Sequence, residues 1–217
     1  MHNDYSHVSP NGSVGRRRLI GAGLTGAAAS LLPLLAGRVS AGSTPPDDTE
    51  PAPTTTAPPK RPTESDIAVL GFSQGVELAA RDLYDIGLGA ADLSDLHRTV
   101  LVTIRESHEA YAQALSGLLG RLADGATNAD VVDQLTASFS GSAESVLQAA
   151  YDLESALVTT HADALGDIQG VDAAKLLASV LVTEARHSTV LADLTGNATL
   201  DDLLVTDKAD ALTPAEG

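Results

Sequence analysis

Apolar residues recur every three or four positions through residues 65–196, a stretch that contains no proline. This spacing places the apolar side chains on one face of an α-helix and therefore predicts helices. The pattern is interrupted three times and so predicts four long helices, at residues 65–86, 94–121, 142–164 and 171–195. A short additional turn of helix is predicted over residues 129–138, in the long middle connection.

Residues that can cap a helix lie at several of the predicted helix boundaries. Ser94 and Ser142 can each accept a backbone N–H group of a first helical turn, and Thr63 with Asp66 fits a capping box. Gly196 stands where the last long helix would stop.

The predicted helices form an internal repeat. The second and fourth helices align at an offset of 76 residues, and the first and third align at an offset of 77. Two αα-hairpins of the same design, joined by a crossover of about 20 residues, make a four-helix bundle with one long connection. The fold class predicted is therefore all-α.

Polar residues stand in register within the apolar stripes of both halves. They are Glu77, His108, Tyr111, Glu154, Glu184 and His187. A buried ionised carboxylate costs several kcal/mol unless it is paired, so these glutamates need a metal, a histidine cation or hydrogen bonds. Glu184 and His187 are three residues apart, so their side chains project together from one helix.

At this point the chain resembles the ferritin-like superfamily, including its short exported bacterial members. In that family two helices each give one glutamate and two give Glu-x-x-His, and together they bind two irons. The resemblance covers residues 65–196 and implies that Glu77 and Glu154 are the single glutamates, with Glu184 and His187 as one complete pair. Tyr84, seven residues after Glu77, also fits the family's first helix.

The second helix departs from the family pattern. His108 and Tyr111 stand where Glu-x-x-His is expected, so one bridging carboxylate has become an imidazole and a terminal imidazole has become a phenol. Two dications a few ångströms apart need anionic bridges. This departure disfavours a di-iron oxidase or ferroxidase, and no catalytic residue is predicted.

Two hypotheses for the polar core remain open. One is a degenerate site that binds a single transition metal (iron, manganese or zinc) through Glu77, Glu154, Glu184 and His187, with His108 as a possible fifth ligand. The other is a metal-free polar core, in which the domain is a structural or interaction module of the cell envelope.

Three further residues are candidates to lie beside the ligands rather than among them. They are Tyr111, Tyr84 and His161. For Tyr84 and His161, two helical turns beyond their glutamates, packing at a helix end or exposure is the favoured expectation.

The N-terminus has the pattern of an export signal. Arg16, Arg17 and Arg18 precede a moderately apolar stretch at residues 19–36, and a small-x-small cleavage site ends at Ala41. Residues 1–41 resemble a bacterial twin-arginine signal peptide. The resemblance implies an exported, extracytoplasmic protein of the periplasm or cell envelope, and contact with a membrane only through this segment if it stays uncleaved.

Composition divides the rest of the chain. Residues 42–63 form a Pro/Thr-rich linker that cannot bury a core and is expected to be disordered, and residues 64–196 hold the bundle. Residues 197–217 form an acidic tail. Its leucines at 200, 203 and 204 are expected to cap the bundle, and the part beyond Asp207 is expected to be loose.

Charge and cysteine content exclude several function classes. The 217 residues include 13 Lys and Arg against 29 Asp and Glu, a net charge of −16, which disfavours nucleic-acid binding. The chain has no cysteine, so disulfides and thiolate metal clusters are excluded, and no haem is expected. A protein partner is not identifiable from the sequence.

Residues 71–75 match the G-x-S-x-G motif of the α/β-hydrolase nucleophile elbow. That elbow joins a strand to a helix within a parallel sheet. Only the signal and the linker lie upstream, and no run of strands follows. The motif is therefore expected to lie within a helix.

Overall fold

A computed structural model describes residues 57–196, 199 and 209–213 of the chain. The described part contains five α-helices and no strand. They are α1 (Glu64–Gly87), α2 (Asp95–Leu119), α3 (Ala129–Phe139), α4 (Ala143–Asp167) and α5 (Val171–Thr195), with a short 3₁₀ turn at Gly120–Leu122. The all-helical prediction is confirmed, and the four long helices lie within a few residues of the predicted bounds. The short helical segment predicted in the middle connection forms helix α3, which has three turns.

The helix ends follow from local chemistry. The Ser94 and Ser142 side chains accept the backbone N–H groups of His97 and Ser145, as their type at these positions predicts. Gly196 ends α5 with φ 71°, a left-handed conformation that glycine adopts without strain. Residues 71–75 lie inside α1, with Ser73 buried, so they form no nucleophile elbow.

The helices pack in pairs around two apolar clusters. α1 packs chiefly against α2, α4 packs chiefly against α5, and α3 contacts both α1 and α4. The larger cluster is centred on leucine, valine and alanine side chains such as Leu83, Leu153 and Leu191. The smaller cluster contains Leu70, Leu115, Leu119, Ala173 and Leu177. On each long helix the residues of the two clusters are separated by a level of buried polar side chains.

A buried carboxylate joins the start of α1 to the connection between α4 and α5. Asp66 is fully buried and accepts backbone N–H groups from Thr63 at 2.7 Å, Gln169 at 2.8 Å and Gly170 at 2.9 Å. Burial raises the pKa of Asp66, but these three N–H groups outweigh it and lower that pKa below its usual 3.8. The carboxylate therefore closes one end of the bundle in its ionised form.

The segment before α1 also lies against this end. The backbone carbonyls of Pro59 and Lys60 accept the N–H groups of Val171 and Asp172, each at 2.9 Å, and so complete the first turn of α5. A β-carbon on Gly170 would lie 2.7 Å from the carbonyl oxygen of Arg61, so only glycine permits this close approach. The last residues of the predicted linker are thus part of the folded domain.

The described part of the tail returns to the bundle. The backbone N–H of Leu212 donates to the hydroxyl of Thr160 on α4 at 2.9 Å, and Leu212 packs against the larger cluster. The expectation that the chain beyond Asp207 is loose is therefore wrong for residues 209–213. An apolar side chain and a backbone donor at Leu212 both find partners there.

Two sequence predictions lie outside the described residues. They are the export signal at residues 1–41 and the cap formed by the leucines at 200, 203 and 204. Among the helices of the described residues, none combines the length and apolar character needed to cross a membrane.

Replacing Asp66 with alanine should lower the free energy of unfolding by about 3 kcal/mol, because three buried N–H groups lose a charged acceptor. Urea unfolding at pH 7 measures this change. The exposed Asp133 on α3 serves as the control, and its alanine variant should change stability by less than about 0.5 kcal/mol. Because the folded pKa of Asp66 is lowered, its contribution should disappear as the pH falls below 3.8. Equal effects of the two variants would contradict this role of Asp66.

Candidate metal centre

Six polar side chains meet between the two apolar clusters, on four helices. They are Glu77 of α1, His108 of α2, Glu154 and His161 of α4, and Glu184 and His187 of α5. Five of them have no exposed surface, and the side chain of His187 is 13% exposed. Carboxylates and imidazoles alternate through the group in the order Glu184, His161, Glu77, His108, Glu154 and His187.

His108 lies at the centre of this chain of contacts. Its Nδ1 is 2.8 Å from Glu77 Oε2, and its Nε2 is 2.8 Å from Glu154 Oε1. Burial lowers the pKa of His108, but Glu154 and Glu77 outweigh burial and raise that pKa well above its usual value of 6.5. His108 is therefore held as a cation that donates to one carboxylate on each side.

Glu154 has partners for both of its oxygens. Oε1 accepts from the Tyr84 hydroxyl at 2.7 Å as well as from His108, and Oε2 is 3.2 Å from Nδ1 of His187. Burial raises the pKa of Glu154, but His108 and His187 outweigh burial and lower that pKa to about 2. The Tyr84 ring also stacks on the His108 ring, with 5.4 Å between centroids. We call His108, Glu154 and His187 the outer trio. Both oxygens of Glu154 and both ring nitrogens of His108 have hydrogen-bond partners.

The other three residues, Glu77, His161 and Glu184, form the inner trio. His161 Nδ1 lies 2.8 Å from Glu184 Oε2, and His161 Nε2 lies 3.6 Å from Glu77 Oε1, beyond hydrogen-bond distance. Three buried atoms of this trio have no hydrogen-bond partner: Glu77 Oε1, His161 Nε2 and Glu184 Oε1. Buried polar atoms without a partner are costly and uncommon, so these three point to a group that would satisfy them.

The inner trio also has an unusual charge balance. Burial, together with Glu77 and Glu154, raises the pKa of Glu184 to about 8, and the neighbouring His161 only partly offsets this. Burial lowers the pKa of His161, but Glu184 and Glu77 outweigh burial and raise it. Without a further cation, Glu184 therefore retains its proton at neutral pH.

The potential ligand atoms of each trio lie within 4.8 Å of one another. The sequence hypothesis grouped Glu77, Glu154, Glu184, His187 and His108 around one metal, whereas the structure divides these residues between two trios. The inner trio is completed by His161, which the sequence hypothesis placed beside the ligands.

Two expectations for the neighbouring residues differ from the structure. Tyr84 and His161 were expected at a helix end or exposed, yet both are fully buried and contact the carboxylates. Tyr111, expected beside the ligands, is only partly buried, and its hydroxyl donates to Thr183 Oγ1 at 2.7 Å. The six residues of the two trios do not include it.

The positions of Tyr84 and His161 follow from helix direction. α1 and α4 are antiparallel, so Tyr84 lies beside Glu154 while His161 lies beside Glu77. The offset of 77 residues relates Tyr84 to His161 just as it relates Glu77 to Glu154. The internal repeat therefore indicates that Tyr84 and His161 occupy equivalent positions. It does not indicate that each of them reaches the glutamate of the other half of the chain.

The four long helices place polar side chains together at the centre of the bundle. This arrangement is typical of helix-bundle proteins, which build ligand and metal sites between facing helices. Residues 65–197, more than half of the chain, match the family described as the ferritin-like domain. The chain therefore belongs to the ferritin-like domain family, as its sequence pattern predicted. No curated protein and no solved structure matches the chain significantly.

Replacing Tyr84 with phenylalanine should destabilise the metal-free protein by about 1.5 kcal/mol. The ring and its stacking remain, but buried Glu154 loses a hydrogen bond to its charged oxygen. Tyr111→Phe is the matched control, because it removes the same hydroxyl from a partly exposed bond to Thr183 and should cost less than about 0.5 kcal/mol. Urea unfolding of both variants measures the difference. A larger loss for Tyr111→Phe would show that the carboxylate contact is not what Tyr84 contributes.

Proposed function

We propose that this protein binds one divalent transition metal in its bundle core, at the inner trio of Glu77, His161 and Glu184. The observation that carries the proposal is the set of three unpartnered buried atoms, one on each residue of this trio. Two carboxylates and one imidazole are a donor set that suits zinc, manganese or iron.

The spacing of these atoms also supports a metal. Tetrahedral ligands at about 2.1 Å from a zinc-like ion lie about 3.4 Å from one another. The 3.6 Å between His161 Nε2 and Glu77 Oε1 is too long for a hydrogen bond but close to this separation. A metal would displace the proton from Nε2 of His161, while Nδ1 would keep donating to Glu184 Oε2 and so hold the ring in place.

The outer trio is less favourable than the inner trio as a site for a metal. Its central carboxylate, Glu154, already accepts bonds from His108, Tyr84 and His187. A metal bound there would have to displace these bonds, whereas a metal in the inner trio would satisfy atoms that have none. We therefore assign the outer trio and Tyr84 to holding Glu77 in place through His108.

A bound dication would balance the negative charge of the inner-trio carboxylates and favour the ionised form of Glu184, whose pKa burial raises to about 8. The residues themselves fix the site: Glu184 orients His161, and His108 holds Glu77 Oε2 so that Oε1 faces His161. All three residues are fully buried. These features support metal retention rather than turnover.

The position of His108 argues against a dinuclear oxidase. Its ring lies between Glu77 and Glu154 with one nitrogen 2.8 Å from each. An imidazole thus stands where a bridging carboxylate would be needed, and it donates to the two glutamates that would otherwise ligate. The proposal is accordingly a metal-binding protein, and it assigns no catalytic residue.

We also propose that the protein is exported and that its ferritin-like domain consists of two αα-hairpins with one long crossover. The pairing of α1 with α2 and of α4 with α5 supports this arrangement. Arg16, Arg17 and Arg18 support export by a twin-arginine-type route, which carries proteins already folded and would allow the metal to be loaded beforehand.

Metal binding can be measured on the purified full-length chain after anaerobic incubation with Zn²⁺, Mn²⁺ or Fe²⁺. We expect about one equivalent of one of these metals per chain. His161→Gln should weaken binding at least about tenfold because it removes a ligand. His187→Gln, a matched change in the outer trio, should alter the affinity by less than about threefold.

Each result distinguishes between the hypotheses. Loss of binding in His187→Gln but not in His161→Gln would move the metal to the outer trio and contradict the proposed site. Binding of less than about 0.1 equivalent of every metal would favour the metal-free envelope module. Two irons per chain with rapid oxygen consumption would show that the domain is an oxidase after all.

Export can be tested by replacing Arg16, Arg17 and Arg18 with lysine in a bacterial host that has the twin-arginine route. The substitution preserves charge, so a signal that needs only positive residues should still work, whereas a twin-arginine signal should fail. We expect the wild-type chain outside the cytoplasm with Gly42 as its first residue by mass spectrometry, and the variant retained inside. Export of the variant at the wild-type level would contradict this route.

A further inference from the structure

Two neighbouring residues of α1, Ser73 and Gln74, each have a buried polar atom without a hydrogen-bond partner. Ser73 has no exposed surface and Gln74 is 3% exposed. Both belong to the G-x-S-x-G sequence at residues 71–75, which forms no nucleophile elbow. Among the described residues, six buried side-chain atoms lack a partner. Three of these atoms belong to the inner trio, and two are Oγ of Ser73 and Oε1 of Gln74.

The hydroxyl of Ser73 departs from the usual behaviour of a serine within a helix. Helical serine and threonine side chains commonly donate to the backbone carbonyl four residues earlier. Ser107, Ser155 and Thr160 do so, at 3.0, 2.8 and 2.6 Å. Ser73 makes no such bond to Val69, and its Oγ has no partner among the residues that the structure describes. Its hydroxyl therefore keeps its full capacity for a hydrogen-bonded ligand.

The side-chain amide of Gln74 is oriented by α2. Its Nε2 donates to the backbone carbonyl of Ala112 at 3.3 Å. Because a carbonyl only accepts, the nitrogen must face Ala112 and the amide oxygen must face away from it. Ala112 lies one helical turn after His108, whose Nδ1 bonds Glu77. Oε1 of Gln74 is thus an acceptor held in place one turn from the polar core.

Ser73 and Gln74 lie beside the inner trio, on the side of the smaller apolar cluster. Glu77 follows Gln74 by three residues and Ser73 by four, so its side chain projects from α1 between theirs. α1 and α5 run in the same direction, because their N-terminal parts contribute to the smaller cluster and their C-terminal parts to the larger one. Helical side chains lean toward the N-terminus of their helix. Glu77 and Glu184 therefore both lean toward the level of Ser73 and Gln74.

We propose that Ser73 and Gln74 bind one buried water molecule beside the inner trio, and that this water is the fourth ligand of the metal. The second part rests on the metal site proposed above, whereas the first does not. Buried waters bond to buried polar groups that otherwise have no partner. The water donates to Oγ of Ser73 and to Oε1 of Gln74, which leaves an electron pair of its oxygen for the metal. Three protein ligands and one water complete a four-coordinate site.

The water can be counted in the metal-free full chain by oxygen-17 magnetic relaxation dispersion, which detects water molecules held inside a protein in solution. Ser73→Ala removes the hydroxyl without breaking a hydrogen bond between protein groups, so we expect the fold to remain and one long-lived water to be lost. Ser107→Ala is the matched control, because its hydroxyl already donates to the carbonyl of Thr103, and it should keep the wild-type count. Equal counts in the wild type and Ser73→Ala would overturn the water site.

A second variant tests whether the two residues share this water. Gln74→Met has a side chain of similar length without Oε1, so it should lose the same single water. The double variant Ser73→Ala, Gln74→Met should lose no more than either single variant. Loss of two waters in the double variant would show two separate sites and contradict the proposal.

The role of the water as a ligand is tested by anaerobic titration with Co²⁺, which accepts the same ligand types as zinc and whose visible absorption depends on its coordination. We expect Ser73→Ala to bind Co²⁺ about fivefold more weakly, the effect of one hydrogen bond, and to change the absorption spectrum. Ser107→Ala should change neither. Unchanged affinity and spectrum in Ser73→Ala would overturn the ligand role. Failure of the wild type to bind any metal would contradict the metal site, whereas the water count would still decide the first part.

Discussion

The arrangement of this domain depends on the burial of three carboxylates in a helical core. Glu77, Glu154 and Glu184 have no contact with solvent, and an unpaired buried charge would cost more than a domain of this size can spare. Three histidines at the same level supply hydrogen-bonding contacts, and His108, whose pKa is raised well above 6.5, supplies a positive charge. The four long helices must therefore keep a definite stagger, because a shift of one turn would separate each glutamate from its imidazole.

Much of the fold was accessible from the sequence because it is encoded locally. The 3.6-residue periodicity predicted the long helices, and Ser94 and Ser142 marked two of their starts. The polar core was accessible for a similar reason, since a glutamate or histidine within an apolar stripe is visible in one dimension. The contact between Asp66 and the α4–α5 connection was not, because it spans more than a hundred residues.

The pairing of the core residues could not be predicted in the same way. Whether Tyr84 reaches Glu77 or Glu154 depends on the direction and stagger of α1 against α4, which no local pattern records. The same holds for His161, which joins Glu77 and Glu184 in the inner trio only once α4 is placed beside α1. Tyr111 illustrates the reverse error: it shares the stripe of His108, yet its longer side chain ends at Thr183, near the edge of the bundle.

The internal repeat also explains a difference between the two trios of the polar core. Positions 84 and 161 are equivalent, and each reaches the glutamate of the opposite half. At position 84 the side chain is a phenol, and its hydroxyl donates to Glu154. At position 161 it is an imidazole, which has an electron pair to share. The difference between these equivalent positions is therefore one reason why Glu154 in the outer trio is fully hydrogen-bonded, while the inner trio, also drawn from both halves of the chain, keeps unpartnered buried atoms.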